Sequence, residues 1–545
     1  MEALRPPRPL ILIRGFGGPD VADEQANAYQ GFNDGTVYPT KRGENYIYEG
    51  FILRAMKSDR YRYTDATNVI GYYSQDVEAP VDVDGYATSD VSGTVVIDPA
   101  TARRVLTDGT AGTIWVYRYY DLSPRALRRY GEGLVTLLRL IRSAAARHER
   151  PFNGVDVVAH SMGGLVLREA LRQLDDAEKG SAAQVIHRAV TLGTPHRGIA
   201  FQRAPRWLLE RLPSVEKAAD ELAAFDPAST EFRKVGDWFP LERLLTIVGT
   251  NYATYGVKGA SALNRLSSLI DEGSLTYNRS DGLVKQASAQ LPGAPRTFVH
   301  KCHGGPDSVV TSREAFEIAM RFFHGTHRVR LWVDEAQILR GRDWFGRSEF
   351  YLGFSVKPRF VDFDLVHQSV EAENCYGPFR EPDLSDGPPP LAEELAKPLA
   401  EPGDRTTGWA GPDRLVWEGW IDAGAKPAAG GEGLVFRLDI YVGERDSRGT
   451  GFSDNVVFRK QYYVQAFLDP LTLVIHTGEE HLRPGDQTNR QELEAIARPG
   501  ADQEVQAPVA TGVDGEWTFQ AAGTGFRATL RLAIEDRDGP STAGP

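Results

Sequence analysis

The segment from Val155 to Gly164 places the strongest constraint on the fold, because a strand there passes into a helix at a single serine. The branched run through Val158 is typical of a buried strand. Ser161 follows that run, and the absence of side chains at Gly163 and Gly164 lets a helix pack closely against the strand. Such a turn presents Ser161 at the top of a sheet in a strained conformation, and so predicts a nucleophile as well as a sheet.

Apolar runs and helical periodicity alternate along the first 326 residues, which predicts an α/β domain with a mostly parallel sheet. Two longer stretches interrupt this pattern. Residues 19–112 are interpreted as a large insertion with a helix near 51–56, and residues 199–240 are a candidate cap over the site. The remaining strands are expected at 10–13, 114–117, 185–192, 244–249 and 297–300, and the helices at 123–146, 162–174 and 312–323.

The hydrophobic pattern changes at about His327, where apolar and polar residues begin to alternate one by one. Alternation of this kind is typical of half-buried antiparallel strands and predicts a β-rich domain, a β-sandwich, over residues 327–538. A segment rich in Pro, Gly and Glu at 377–412 is interpreted as a loop inside it, and residues 539–545 as a disordered tail.

Composition excludes some classes of function. A net charge of −12 over 545 residues argues against a general nucleic-acid binder, which needs a basic surface for phosphate contacts. Two cysteines, Cys302 and Cys375, cannot build a disulfide framework, and no apolar stretch reaches the length of a membrane span. We therefore expect a cytoplasmic protein without a transmembrane segment.

The turn at Ser161 resembles the nucleophile elbow of bacterial lipases and esterases in the α/β-hydrolase superfamily, which often carry Ala-His-Ser-Met-Gly, as residues 159–163 do here. Ala159 stands where the more usual pattern has glycine. The segment Gly-Thr-Pro-His-Arg-Gly at 193–198 is also similar to these lipases, and we interpret its His196 as support for the wall of the site. The resemblance covers residues 9–325 and implies an α/β-hydrolase fold for the first domain.

The resemblance also implies a catalytic triad in the chain order serine, acid, histidine. Ser161 is the expected nucleophile. Asp281, in a tight turn of Ser-Asp-Gly, is the expected acid, with Asp271 as its nearest competitor. The base is His303 or His300; His303 is favoured because it lies in the loop after the last strand, whereas His300 belongs to the end of that strand. Cys302 is interpreted as a packing residue.

An oxyanion hole needs two backbone N–H groups directed at the developing negative charge. Met162, directly after the nucleophile, is expected to supply one, and Phe16 in the early glycine-rich loop the other. Lipases of this kind usually have His-Gly in that loop, whereas this chain has Arg14 and Gly15. Arg14 is a candidate to hold an anionic part of a substrate or to form a structural ion pair.

The resemblance implies a serine hydrolase that cleaves small-molecule or lipid carboxylic esters through an acyl-enzyme, with no metal or organic cofactor. The alternative is a catalytically inactive hydrolase fold that serves as a binding or scaffold protein. The C-terminal domain is a candidate for binding a lipid surface or a partner protein. If it is only accessory, a chain ending near Gly325 should retain ester hydrolysis.

Overall fold

The computed structural model describes an α/β unit up to Gly325 and a β-rich unit beyond it. The described residues are 7–15, 49–58, 61, 67–69, 108–117, 119, 126–147, 152–197, 235–251, 280–286, 288–291, 293–304, 307–338, 348–358, 364–367, 376–379, 415–422, 434–446, 455–468, 471–476, 505–506 and 516–537.

The α/β unit alternates strands and helices. Its strands are β1 (Leu10–Ile13), β2 (Thr67–Val69), β3 (Ile114–Tyr117), β4 (Val155–His160), β5 (Ile186–Leu192), β6 (Leu244–Gly249) and β7 (Arg296–Val299). Its helices are α1 (Glu49–Lys57), α2 (Leu127–Arg147), α3 (Met162–Ala177), α4 (Ser181–Val185), α5 (Val235–Trp238) and α6 (Arg313–His324), with a 3₁₀ turn at Leu241–Arg243.

The seven strands form one parallel sheet in the order β2-β3-β1-β4-β5-β6-β7. Successive strand residues point to opposite faces, and both faces are buried. Ile11 and Val157 belong to the core under α2 and α3, whereas Leu12 and Val158 belong to the core on the side of α1 and α6. The predicted α/β class with a mostly parallel sheet is therefore confirmed.

The β-rich unit consists of two antiparallel sheets. Its strands are β8 (His327–Ile338), β9 (Ser348–Pro358), β10 (Val366–His367), β11 (Tyr376–Phe379), β12 (Leu415–Ile421), β13 (Leu434–Asp446), β14 (Asn455–Leu468), β15 (Leu471–His476), β16 (Val505–Gln506), β17 (Glu516–Ala522) and β18 (Phe526–Asp536). One sheet has the order β10-β9-β13-β14-β15-β16, with β11 also paired to β9, and the other has the order β12-β8-β18-β17.

Aromatic side chains join the two sheets face to face. The ring centroids of Phe458 and Phe526 lie 5.1 Å apart, and those of Tyr462 and Phe519 lie 5.7 Å apart. Each pair takes one ring from either sheet, so the inner faces share a core as in a sandwich. The expectation of a β-rich C-terminal domain is confirmed.

The last helix of the α/β unit packs directly on the β-rich unit. Phe322 near the end of α6 meets the Trp420 ring of β12 edge to face, with centroids 4.6 Å apart. The Thr326 amide donates to the Ile421 carbonyl at 2.8 Å, and the Arg537 amide donates to the Thr326 carbonyl at 2.8 Å. One hydrophobic cluster runs through both units without a break. The two units therefore share packing at the point where the hydrophobic pattern of the sequence changes.

The structure describes parts of the segments that were interpreted as an insertion and a cap. The segment 19–112 supplies α1 and the edge strand β2 of the sheet. The last residues of the expected cap, 235–240, form α5 and the start of the next turn, and Val235 and Phe239 are buried in the core beneath α3. Residues 198–234 lie outside the described part of the chain.

Other boundaries shift by a few residues. Val185 ends the short helix α4, and the strand expected from 185 begins at Ile186. The expected loop 377–412 begins inside β11, whose Tyr376 and Phe379 pair with β9. Helix α2 is described from Leu127, and Ser123, where this helix was expected to begin, lies outside the described residues, as does the tail 539–545.

Candidate functional site

Ser161 occupies the turn between β4, which ends at His160, and α3, which begins at Met162. Its backbone has φ 52° and ψ −128°, and no other non-glycine residue among those described has a positive φ. Such a conformation costs about 1–3 kcal/mol and persists only where surrounding contacts hold it. Here the Ser161 amide donates to the Leu192 carbonyl at 2.9 Å, which ties the turn to β5.

The paired glycines after the serine allow close backbone contact on two sides. A Cβ atom at Gly163 would lie 2.2 Å from the Arg14 carbonyl oxygen, and one at Gly164 would lie 2.1 Å from the Thr194 Oγ1. Side chains at these positions would push the start of α3 away from both neighbours. The glycines therefore place Ser161 between the loop after β1 and the loop after β5.

His303 lies in the loop after β7 and joins the serine to a carboxylate. Its Nε2 is 2.8 Å from Ser161 Oγ, and its Nδ1 is 2.7 Å from Asp281 Oδ2. The three residues are almost fully buried, with relative exposures of 6% for Ser161 and 1% for each of the other two. Because a carboxylate can only accept, His303 Nδ1 carries the proton of that bond, and Nε2 accepts from the serine hydroxyl.

Asp281 is held by the turn that contains it. Its Oδ1 accepts from the amides of Leu283 at 3.1 Å and Val284 at 2.8 Å, which leaves Oδ2 to face His303. The His303 amide also donates to the Asp281 carbonyl at 2.7 Å. The carboxylate and the imidazole are thus fixed to each other through both backbone and side chain.

Gly193, the first residue after β5, lies against the bond between the carboxylate and the imidazole. Its φ is +54°, and a Cβ atom there would lie 2.8 Å from Asp281 Oδ2 and 3.1 Å from His303 Nδ1. Glycine satisfies both requirements, a positive φ and a close approach to two polar atoms.

The structure describes one of the two residues that were expected to form the oxyanion hole. Met162 is the first residue of the 16-residue helix α3, where the amide has no carbonyl partner within the helix and the helix dipole favours negative charge. Phe16 lies outside the described residues. Gly15 before it passes directly over the site, since a Cβ atom there would lie 2.9 Å from Ser161 Cβ.

Arg14 lies inside the protein at 1% exposure, at the end of β1. The Tyr119 hydroxyl donates to the Arg14 carbonyl at 3.1 Å. The charge of Arg14 is close enough to contribute to lowering the pKa of His160. Its guanidinium is therefore part of the electrostatics of the site rather than of the protein surface.

His160 has a place in the site that sequence reasoning missed. Its ring lies beside the ring of His303, with centroids 4.8 Å apart, and its Nε2 is 2.9 Å from the His303 carbonyl oxygen. Burial lowers the pKa of His160 well below its ordinary value, and the charges of His303 and Arg14 lower it further. The Ala-His-Ser-Met-Gly segment contains His160, but only the fold shows that its ring contacts the His303 carbonyl.

The other candidate base and the neighbouring cysteine have partners other than the serine. His300 is exposed, and its Nδ1 is 3.1 Å from Thr250 Oγ1. Burial raises the pKa of the Cys302 thiol to about 11, and its Sγ donates to the Gly304 carbonyl. Asp271 lies outside the described residues.

His196 is fully buried and is bonded to residues of β5 and α3. Its Nε2 is 2.9 Å from Thr191 Oγ1, and Arg168 Nη1 donates to its carbonyl at 2.9 Å. Burial lowers the pKa of His196 well below its ordinary value and lowers the pKa of Arg168 to about 9.

Comparison with protein families identifies a match that contains the serine. A family model described as the PGAP1-like alpha/beta domain matches residues 119–216, which include β4, the turn at Ser161 and α3. The match and the parallel sheet agree on the class of fold. Residues 119–216 are similar to that family, and the fold class predicted for the first domain, α/β with a mostly parallel sheet, is confirmed. The matched residues lie entirely within the α/β unit.

Three solved structures similar to this chain come from bacterial proteins. They are the Bacillus licheniformis lipase BlEst2 in its propeptide form (12% identity, TM-score 0.32, 86% of this chain and 95% of that one), a Lactobacillus plantarum protein described as a cell surface hydrolase (11%, 0.27, 58% and 90%) and the phospholipase PlaB from Legionella pneumophila (12%, 0.28, 66% and 86%). At these TM-scores the likenesses carry no argument about function. No curated protein sequence matches the chain significantly.

No helix among the described residues is long and apolar enough to cross a membrane. Within the same residues, no group of three or more His, Cys, Asp or Glu side chains is arranged to hold a metal ion.

Proposed function

We propose that this chain is a serine hydrolase that cleaves carboxylic esters, with Ser161 as nucleophile, His303 as general base and Asp281 as the orienting acid. The observation that carries the proposal is the buried hydrogen-bond relay, 2.8 Å from Ser161 Oγ to His303 Nε2 and 2.7 Å from His303 Nδ1 to Asp281 Oδ2. A serine hydroxyl needs such a base because it is a weak nucleophile at its own pKa.

The proposed reaction has two acyl-transfer steps. Ser161 Oγ attacks the ester carbonyl carbon as His303 Nε2 takes the hydroxyl proton, and Asp281 stabilises the imidazolium that forms. The oxyanion accepts from the Met162 amide and, as predicted from the sequence, from the Phe16 amide. His303 then protonates the departing alcohol, and the acyl group remains on Ser161.

Hydrolysis of the acyl-enzyme repeats these transfers with water as the nucleophile. His303 takes a proton from the water, the hydroxide attacks the acyl carbon, and the imidazolium returns the proton to Ser161 Oγ. The carboxylic acid leaves and the enzyme regains its starting protonation. Neither step calls for a metal or organic cofactor. A small-molecule or lipid ester fits this chemistry, and thioesters and amides are attacked by the same groups.

Labelling with a fluorophosphonate probe tests the proposal, because the probe reacts covalently only with an activated serine. We expect the wild type to label and the Ser161→Ala and His303→Ala variants not to label. His300→Ala is the matched control, since its ring lies three residues from His303 but contacts Thr250 instead of the serine. We expect that variant to label like the wild type.

The outcomes also decide the competing function. A folded wild type that fails to label, with and without detergent, would contradict the enzyme and favour the inactive scaffold protein. Labelling that survives His303→Ala but not His300→Ala would reassign the base. A series of esters of increasing acyl length would then define the substrate range of an active protein.

A further inference from the structure

We propose that His160 is a positioning residue of the active site, which fixes the backbone of the base His303 through a hydrogen bond from its Nε2–H. The inference rests on the proposed function for its role in catalysis. The contact itself rests on geometry alone, with His160 Nε2 placed 2.9 Å from the His303 carbonyl oxygen. A carbonyl can only accept a hydrogen bond, so Nε2 must carry the proton.

Adjacent residues at the end of β4 hold opposite ends of His303. Ser161 contacts the imidazole through Oγ at 2.8 Å, while His160 contacts the carbonyl on the backbone. The His303 amide is bonded to the Asp281 carbonyl at 2.7 Å, and its Nδ1 to the same residue's carboxylate. The backbone amide, the backbone carbonyl and both ring nitrogens of His303 therefore have fixed partners. His160 supplies the only one of the four contacts that comes from neither Ser161 nor Asp281.

The surroundings explain why a neutral ring suits this position. The ring of His160 lies 4.8 Å from that of His303, which becomes positively charged during the proposed reaction. A cation at position 160 would oppose that charge, because like charges at this distance in a buried site repel strongly. Burial together with the charges of His303 and Arg14 keeps His160 neutral by lowering its pKa. The residue thus donates a hydrogen bond without adding charge.

The other ring nitrogen of His160, Nδ1, makes no hydrogen bond within the described part of the chain that could take the place of the one from Nε2. His160 Nδ1 is buried and has no hydrogen-bond partner among the described residues. It lies beside Gly15, where a Cβ atom would come within 2.9 Å of it. A side chain that keeps a neutral donor at the position of Nε2 should therefore preserve the function of the histidine, and glutamine is such a side chain.

The test compares His160→Gln with His160→Met, two unbranched side chains of similar size that differ in the donor. With a short-chain p-nitrophenyl ester as substrate, we expect kcat of the methionine variant to fall about 100-fold with KM nearly unchanged, as for a misplaced catalytic group. We expect the glutamine variant to remain within about tenfold of the wild type in kcat. Thermal unfolding would show whether both variants are folded.

Kinetic results that overturn the proposal are a methionine variant as active as the wild type, or equal losses in both variants at equal melting temperatures. The second result would mean that the ring fills space and the donor is irrelevant. The acid limb of the pH profile adds a further check. It should keep its midpoint in the glutamine variant, because the groups that face His160 are His303 and Arg14 and the ring itself does not titrate there.

A measurement that does not depend on activity separates this inference from the proposed function. Nitrogen-15 NMR of histidine-labelled wild type, with the His160→Gln variant used to assign the signal, reports the protonated nitrogen of residue 160. We expect a neutral ring with the proton on Nε2 at about pH 6 to 7. A proton on Nδ1 alone would refute the positioning role, because Nε2 could then not donate to the His303 carbonyl. A wild type that does not label with fluorophosphonate, but whose His160 carries its proton on Nε2, would contradict the proposed function and still support the hydrogen bond from His160 to the His303 carbonyl.

Discussion

Replacing Gly193 with alanine should separate the carboxylate from the base while leaving every member of the proposed triad in the chain. The new Cβ atom would lie 2.8 Å from Asp281 Oδ2 and 3.1 Å from His303 Nδ1. Ordinary carbon contacts begin near 3.4 Å, so the carboxylate oxygen must retreat by about 0.6 Å. If the movement falls on the bond to His303, its length grows to about 3.3 Å, beyond the range of a strong charge-assisted hydrogen bond.

Gly180→Ala is the matched control for the cost of backbone strain. Gly180 has φ +81° and no atom within 4 Å of its would-be Cβ, whereas Gly193 has φ +54° and touches the relay. Both variants place alanine in left-handed backbone at a cost of about 1–2 kcal/mol, which lowers the melting temperature of a domain of this size by a few degrees. Only Gly193→Ala should also lose activity.

The assay is kcat/KM for a short-chain ester, measured beside thermal unfolding. We expect Gly193→Ala to lose between about 10²-fold and 10⁴-fold, the range from a misplaced group to a base without its orienting acid. Gly180→Ala should stay within about threefold of the wild type. Equal activity in the two variants at similar melting temperatures would refute the reasoning, because it would show that the bond between Asp281 and His303 can lengthen without consequence.

Because the two units share one hydrophobic core, a chain ending at Gly325 should aggregate or unfold, since Phe322 loses its contact with Trp420. Recovery of a soluble fragment that unfolds cooperatively would contradict this prediction. In the full-length chain, Trp420→Ala should cost about 3–5 kcal/mol in denaturant unfolding through the cavity it leaves beside that ring. A pH series gives a further prediction, because burial lowers the pKa of His160 and His196 in the folded state below their ordinary value of 6.5. The unfolded chain therefore binds these protons first, and stability should fall as the pH drops below about 6.5, by up to about 1.4 kcal/mol per pH unit for each histidine. In the His196→Gln variant, the free energy of unfolding should depend less steeply on pH across that range. An unchanged dependence on pH would contradict the lowered pKa of His196.

Local signals in the sequence were sufficient for the elements nearest the serine. The branched run before Ser161 and the two glycines after it specify β4 and the start of α3, because few other structures accept that pattern. The last helix was expected to begin at Ser312, and it begins one residue later, with the Ser312 side chain accepting from the Ala315 amide at 3.0 Å. These signals act within a few residues, so a single sequence carries them in full.

Elements that depend on distant partners were harder to predict. The strand Thr67–Val69 has three residues and no periodicity, and it exists because β3 offers it a parallel edge. Helix α4 runs without a break into β5, so its last residue was assigned to the strand. The contact of His160 with the carbonyl of His303 spans 143 positions, and no local pattern encodes which ring nitrogen makes it.

The contacts at the end of α6 determine where a protein of this kind can be cut and joined to another. Thr326, where the two hydrophobic patterns of the sequence meet, is bonded on one side to Ile421 and on the other to Arg537. A gene fusion joined at this residue would therefore cut through common packing instead of a linker. Exchange of the β-rich unit between relatives should succeed only if helix Arg313–His324 travels with it, or if the partner surface of Trp420 is matched. In such an exchange the two units should therefore behave as one folding module, although the sequence pattern divides them into two.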